Sequence, residues 1–439
     1  MDADRARGCG RRAALAVGSR RPAGIRACRG TRHPAVQAAR QPGRRHSSRA
    51  CPVCRDGAAA RAVRISRRQH AHAGRYCQLQ LYRPCARGQC FAGTLPQAAR
   101  LAGPHRSPAA LCPHGQNAHR AGSMSVSAFH EGERAVQARV GVQERMAQLG
   151  PRVIRDFMPD QHREFFGQLP FVIAGTADAS GQPWASVLAA PPGFIHSPHP
   201  QRLVLQAQPL PGDPLQDTLA EGAAIGLLGM EPHTRRRNRM NGVVQGLGAA
   251  GFSVQVSQSF GNCPKYIQAR EPVYDAGLAP VPPVVHQAGQ LDDAARAMIA
   301  AADTLFIATA YMGDGDDAGR AGGVDVSHRG GKPGFVRVGA DGTLTVPDFM
   351  GNFFFNTLGN IAVNPRAGLL FIDFDNGDLL YLAVTADIIW DGPEVQAFAE
   401  AQRLLRFKVG SMRLVKGSLP LRWGEAELSP VLETTGTWA

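Results

Sequence analysis

From Met124 onward, short apolar runs of strand length alternate with turns rich in Gly, Asp and Ser. Phe171-Val-Ile-Ala-Gly-Thr-Ala reads as a strand, Asp178-Ala-Ser-Gly181 as a turn and Trp184-Ala-Ser-Val-Leu-Ala-Ala as a second strand. This is the opening of a β-meander. Before it, Glu133 to Leu169 carries spaced apolar residues with charges on both sides, which predicts one or two amphipathic helices. Leu291 to Asp303 and Pro393 to Phe407 predict helices further on. Arg270 to Gln290, with Pro272, Pro280, Pro282 and Pro283, has the composition of a linker or strap. Gly246-Leu-Gly248-Ala-Ala-Gly251 has the spacing of a dinucleotide fingerprint. It lies between the strand-like runs Val243-Val244 and Phe252 to Val256, with no helix after it, and therefore predicts a hairpin connection.

The pattern repeats about 140 residues later. Leu305-Phe-Ile-Ala-Thr-Ala matches the first strand. Ser186, Pro192, Gly193, Phe194 and Ile195 match Ser327, Pro333, Gly334, Phe335 and Val336 with equal spacing, and Gly226-Leu-Leu228 matches Gly368-Leu-Leu370. Each copy has a short Leu-containing helical stretch, around Leu219 and Leu358. Many short strands, Gly-rich turns and few helices predict a mainly β fold with flanking helices, built as two antiparallel barrels in tandem. Packed face to face, the two would imitate a two-fold dimer within one chain. The boundaries expected are 124–270 for the first copy with its N-terminal helices, 271–290 for the linker and 291–439 for the second copy with a C-terminal helix.

Charge separates residues 1–123 from this body. That segment holds 24 Arg, no Lys, no Glu and three Asp, a net +21; the rest carries 25 basic and 32 acidic residues, a net −7. High charge with few bulky apolar residues and no periodicity predicts a disordered extension, or a spurious one upstream of a natural start at Met124. Nucleic-acid binding is therefore not expected of the folded body. Eight of nine Cys also lie before residue 123. Cys51 and Cys54, with Cys85 and Cys90, have loosely zinc-like spacing, but no strand or helix pattern flanks them, and no metal site is expected. A body with the single Cys263 suits a reducing, cytoplasmic setting. No run of about 18 apolar residues is present, so no membrane span is expected.

Candidate chemistry is divided between the copies. After its matching Ser327, copy two reads His328-Arg329-Gly330-Gly331-Lys332, where copy one reads Val187-Leu188-Ala189-Ala190-Pro191. A Ser, an Arg, a Lys and two Gly in one loop suit a phosphate, since glycine lets the backbone approach and a guanidinium offers paired charged donors. Asn352, Asn356 and Asn360 follow at four-residue spacing on a short helix rich in Phe. Asn352 and Asn356 supply the donors and acceptors that a flavin edge needs, while Asn360 reads as a cap or turn residue. Copy one has Arg235-Arg-Arg237-Asn-Arg239-Met-Asn241-Gly242, in which two of the four Arg read as a solvated turn, and Asn262-Cys263-Pro264-Lys265. No His or Asp partner is placed beside Cys263, so a catalytic nucleophile is not expected there.

Taken together, these segments resemble flavin-nucleotide-binding proteins related to pyridoxamine 5′-phosphate oxidase. The resemblance is carried by Val324 to Val336, by Asp348 to Asn360, by Asn364-Pro365-Arg366 and Gly368 to Phe371, and by Arg239-Met-Asn241-Gly242 and Asn262 to Lys265. It spans roughly Phe129 to the C terminus. It implies tandem split β-barrels with FMN at their junction, held by Ser327, His328, Arg329, Gly330, Gly331, Lys332, Asn352 and Asn356 from one copy and Arg239, Asn241 and Lys265 from the other. With the motifs divided in this way, one composite site per chain is expected. The C terminus, Glu433-Thr-Thr-Gly-Thr-Trp-Ala439, lacks the Arg-rich, Trp-containing substrate signature of the oxidase itself, so its substrate is not implied. The leading expectation is an FMN-dependent oxidoreductase acting on a small molecule. The alternatives are a non-catalytic flavin or haem carrier, and a component fed by a separate reductase, since the body has no cysteine cluster for an iron–sulfur centre.

Overall fold

A computed structural model describes residues 127–278, 284–313 and 321–438. The expectations for 1–123, including Cys51, Cys54, Cys85 and Cys90, lie outside the described residues, as do Pro280, Pro282 and Pro283. The chain runs α1 (Glu131–Arg139), α2 (Gln143–Val153), α3 (Asp160–Gly167), β1 (Phe171–Ala177), β2 (Pro183–Ala189), β3 (Ile195–His199), β4 (Arg202–Leu205), α4 (Leu215–Thr218), β5 (Ala224–Glu231), β6 (Arg236–Gly248) and β7 (Gly251–Gly261). It continues through β8 (Pro272–Tyr274), β9 (Val284–Ala288), α5 (Asp293–Ala301), β10 (Thr304–Tyr311), β11 (Gly323–Gly330), β12 (Arg337–Val338), β13 (Leu344–Phe349), α6 (Asn356–Val363), β14 (Arg366–Ile372), β15 (Leu379–Ile389), α7 (Pro393–Ala397), β16 (Ala401–Lys416) and β17 (Leu421–Trp423). The fold is mainly β with few helices. Among the described residues no helix is long and apolar enough to cross a membrane.

The repeat governs the topology. One sheet has the order β2-β1-β5-β6-β7-β4-β3, the other β11-β10-β14-β15-β16-β13-β12, so each strand of the first has a counterpart in the second. The registers agree too. Ser186 faces Ala174 and Gly226 faces Gly175 in one sheet; Ser327 faces Ile307 and Gly368 faces Ala308 in the other. Neither sheet is closed by pairing of its end strands among the described residues.

Each sheet buries one face in its own core. Phe165, Phe166 and Leu169 cover the first sheet, and Ala295 and Ile299 of α5, with Val136 of α1, cover the second. The other faces meet each other through Phe171, Ile173, Ala185 and Val187 on one side and Phe306, Ala308, Val326 and Leu370 on the other. Two glycines set the closeness of this contact. A methyl group on Gly226 would overlap the carbonyl oxygen of Val324, and one on Gly368 would overlap that of Pro183. Val324 faces Ala310 and Pro183 faces Ala177, so the two approaches are equivalent under exchange of the repeats.

Several elements differ from expectation. Pro393 to Phe407 is helical only to Ala397; Glu400 then adopts φ 67° and the chain enters β16. Gln402 to Lys408 has helix-tolerant residues, but pairing with β13 and β15 on both sides overrides that preference. The expected C-terminal helix is therefore confined to Pro393–Ala397, and the chain continues through β16 and β17 to a 3-10 turn at Pro430–Leu432. The expected linker contributes β8, which pairs β17, and β9, which pairs β16. The Gly246 to Gly251 stretch is the β6–β7 hairpin turn. In α1 the cap is an imidazole: His130 Nδ1 accepts from the Gly132 amide at 3.1 Å, and Glu133 accepts from the His130 amide at 3.0 Å.

Candidate functional site

Strand β6 of the first sheet brings Arg237 and Arg239 against β11 of the second, which presents Ser327, His328 and Arg329. The loop after β7 adds Asn262 and Cys263; segment 348–357 closes the space with Asp348, Phe349, Asn352, Phe353, Phe355, Asn356 and Thr357. The enclosed volume is about 100 Å³. A neighbouring space of about 60 Å³ shares Arg237, Cys263, His328 and Arg329 and adds Lys265, Tyr266 and Gly330.

The floor is a buried polar network centred on Asp325. Arg239 donates to Asp325 Oδ1 at 3.0 Å and to the Ser327 hydroxyl. Asn241 donates to Asp325 Oδ1 at 2.8 Å; Asn360 donates to Asp325 Oδ2 and to Thr309 Oγ1, both at 3.0 Å. Thr357 donates to Ser327 Oγ at 3.0 Å, and Asn356 donates to the Glu133 carboxylate. Positions 325 and 327 lie on one face of β11 because strand side chains alternate. Burial pushes the Glu133 carboxyl well above its usual range, and the nearby Asp325 charge adds to this.

The walls carry excess positive charge. Three guanidiniums line the larger space, against the single carboxylate of Asp348. Asp348 lies 3.4 Å from both Arg329 and Arg403. Burial lowers the Arg237 pKa to about 10, which still leaves it charged at neutral pH. His328 is held well below its ordinary value by burial first and then by Arg237, Arg329 and Arg270, so its imidazole is neutral. Among these lining residues, four buried polar atoms have no partner: Arg239 Nε, Arg329 Nε, His328 Nε2 and Asn262 Nδ2. Unsatisfied buried groups of this kind cost about 1–3 kcal/mol each. Tyr266, Phe353 and Phe355 adopt φ of 64°, 65° and 63° beside these spaces, backbone strain of the kind that gathers at binding sites.

Among the residues expected from sequence, Ser327, His328, Arg329, Asn352, Asn356 and Arg239 line the larger space, and Lys265 and Gly330 the smaller. Asn241 stands behind, acting through Asp325. Gly331 and Lys332 are elsewhere. The Gly331 amide donates to Asp303, and Lys332 Nζ donates to the Thr435 carbonyl at 2.8 Å. The reason is that Ser327 to Gly330 belong to strand β11 rather than to a loop, and the chain turns away at its end. Asn352 precedes α6 rather than lying on one helix with Asn356. Asn360 is no cap: it is buried in mid-helix and serves Asp325 and Thr309. Sequence reasoning missed Arg237, Asp325, Thr357 and Glu133. The alternation Val324-Asp325-Val326-Ser327 was a usable signal for Asp325.

The equivalent position under exchange of repeats is filled. Through the registers of β5–β6 and β14–β15, Arg237 and Arg239 correspond to Leu379 and Tyr381; His328 and Arg329 correspond to Val187 and Leu188. Val187, Leu379 and Tyr381 belong to the apolar cluster between the sheets, together with Leu210 and Val415. Tyr381 donates to Asp213 at 2.7 Å.

No family profile matches the chain, and no curated protein matches it. Among solved structures, a tagged variant of HupZ from Group A Streptococcus is 14% identical with a TM-score of 0.22, over 28% of this chain and 96% of that one. The MrkH–c-di-GMP complex of K. pneumonia is 9% identical with a TM-score of 0.16, over 60% of this chain and 87% of that one. At such scores neither likeness bears on fold or function.

Proposed function

We propose that the two sheets are the halves of a split-barrel pseudo-dimer that binds one FMN per chain and acts as a flavin-dependent oxidoreductase on a small molecule. One observation carries the reading: guanidiniums from both repeats, Arg237 and Arg239 from one and Arg329 from the other, line a single cavity beside the lone carboxylate of Asp348. A phosphate dianion would offset this charge and accept from the guanidiniums. Arg329, Arg237 and Ser327 would hold the phosphate, and Asn352 and Asn356 the polar chain of the cofactor. When bound, the flavin would supply hydride and electron transfer. The enclosed volume of about 100 Å³ is below the roughly 300–1,000 Å³ of ordinary small-molecule sites, so the space matches the anionic end of the cofactor. Seating the whole cofactor then requires segment 349–355, with its strained Phe353 and Phe355, to move outward.

The choice of FMN and of redox chemistry rests on the motif resemblance. An absorption spectrum of the purified protein tests it. A flavin spectrum bleached by NADH or NADPH supports an oxidoreductase, and one bleached only with a separate reductase places the electron donor in another protein. A Soret band would replace the reading with haem carriage, and a flavin that no donor reduces would replace it with flavin carriage.

A further inference from the structure

The larger and the smaller space both border Phe349 and Gly351, at the start of segment 349–355. The two ends of this segment are held differently. At the far end Phe354 is 5% exposed, packs against Phe129 and Phe260 at 5.5 and 5.6 Å, and accepts at its carbonyl from Gln137 at 3.2 Å. At the near end the pairing of β13 with β16 becomes irregular between Asp348 and Phe349. In between, Met350 is 44% exposed, and a methyl group on Gly351 would meet nothing within 4 Å. The contacts that hold 349–353 down come mainly from the first repeat. The Tyr266 ring stacks on Phe349 at 4.9 Å and 23°, and its hydroxyl donates to the Met350 carbonyl at 3.3 Å. Arg145 stands over Phe353 at 4.9 Å, and Phe398 of the second repeat lies 6.1 Å from Phe349. Tyr266 and Phe353 adopt φ of 64° and 65°, a conformation that a non-glycine residue keeps only while its surroundings impose it. A stacking ring beside a group of guanidiniums suits a ligand that has both a planar ring and an anionic group.

We propose that residues 349–353 form a lid latched to Tyr266, and that the ligand which opens it carries a planar aromatic ring next to its anionic group. The ring takes the place of Phe349 on Tyr266, while Arg237 and Arg329 hold the anion. Phe353, next to the anchored Phe354, is the hinge. The stack on Tyr266 is exchanged rather than lost, so a ring-bearing anion opens the lid and a bare anion does not. The inference deepens the anion-binding reading of the cavity and rests on it, but it does not require the ring to be a flavin.

Chymotrypsin digestion of the native full chain, followed by mass spectrometry, tests this. Cleavage after Phe349 and Phe353 reports the lid; cleavage after Phe157, 42% exposed between α2 and α3, is the reference. Added phenyl phosphate should raise lid cleavage relative to the reference, and inorganic phosphate should not. Without ligand, Tyr266→Leu should raise lid cleavage about tenfold, the scale of one lost aromatic stack. Tyr266→Phe, which keeps the ring, should lie between the parent and Tyr266→Leu. Lid cleavage that rises only in step with cleavage after Phe157 would be general loosening and would overturn the inference. Lid cleavage that phenyl phosphate leaves unchanged would overturn it too. Should FMN bind while neither effect is seen, this inference alone fails. Should both effects hold while FMN does not bind, the flavin reading alone fails.

Discussion

Arg239 on β6 and Asp325 on β11 form an ion pair at 3.0 Å between the two repeats, with side chains 3% and 10% exposed. The pair ties the sheets together directly beneath the cavity. It also explains why Asn241 and Asn360 are buried: each supplies a further donor to the same carboxylate. A buried charge tolerates such a position only when its partners are present.

Arg239→Met should therefore leave Asp325 short of a counter-charge and cost about 3–5 kcal/mol. Combining it with Asp325→Leu should restore much of that stability, since a buried ion pair can often be exchanged for apolar side chains at little net cost. Chemical denaturation of the three variants measures this. A single variant as stable as the parent would show that the pair does not join the repeats.

The pseudo-two-fold contact makes a paired prediction. Gly226→Ala and Gly368→Ala each force a methyl group onto a backbone carbonyl of the other repeat, and each should destabilise by about 1–3 kcal/mol. Urea unfolding should show similar losses for both. A loss in one and none in the other would mean that the two approaches are not equivalent.

His162 gives a pH dependence. Its Nδ1 lies 2.9 Å from Ser259 Oγ, and burial, with Arg155 and Arg236, lowers its pKa from 6.5 to about 4. The unfolded state therefore takes up the proton first as the pH falls. The stabilisation from neutral His162 is complete above about 6.5 and is lost between 6.5 and about 4. Wild type should lose its advantage over His162→Asn across that window, as followed by denaturation at several pH values. A pH-independent difference would contradict the assignment.

The repeat was legible because core spacing and turn glycines survive in both copies, from Ser186 and Ser327 to Gly226 and Gly368. So was the division of charged residues, because Val187 and Leu188 visibly replace His328 and Arg329. The hidden part was non-local. Nothing in the neighbourhood of Arg237 says that its strand crosses β11 of the other sheet, so it reads as one Arg in a polar run. Asn360 looks like a cap until tertiary contact supplies Asp325. Strand β16 looked helical because pairing on both edges, rather than intrinsic preference, decides its state. Gly331 and Lys332 were misplaced because a strand end cannot be told from a phosphate loop by composition alone.

The proposed single composite FMN site per chain is tested by titrating the flavin-free protein with FMN. Arg329→Ala removes a charge-assisted contact of about 1.5–3 kcal/mol and should weaken binding roughly ten- to hundredfold. Arg202→Ala serves as the control, since Arg202 lies on β4 and donates to Ser253 at 3.1 Å, away from the cavity. The expected result is a stoichiometry of one, lost affinity in the first variant and unchanged affinity in the second; two equivalent sites, no saturable binding, or an Arg329→Ala protein that binds as tightly as the parent would overturn the single-site assignment.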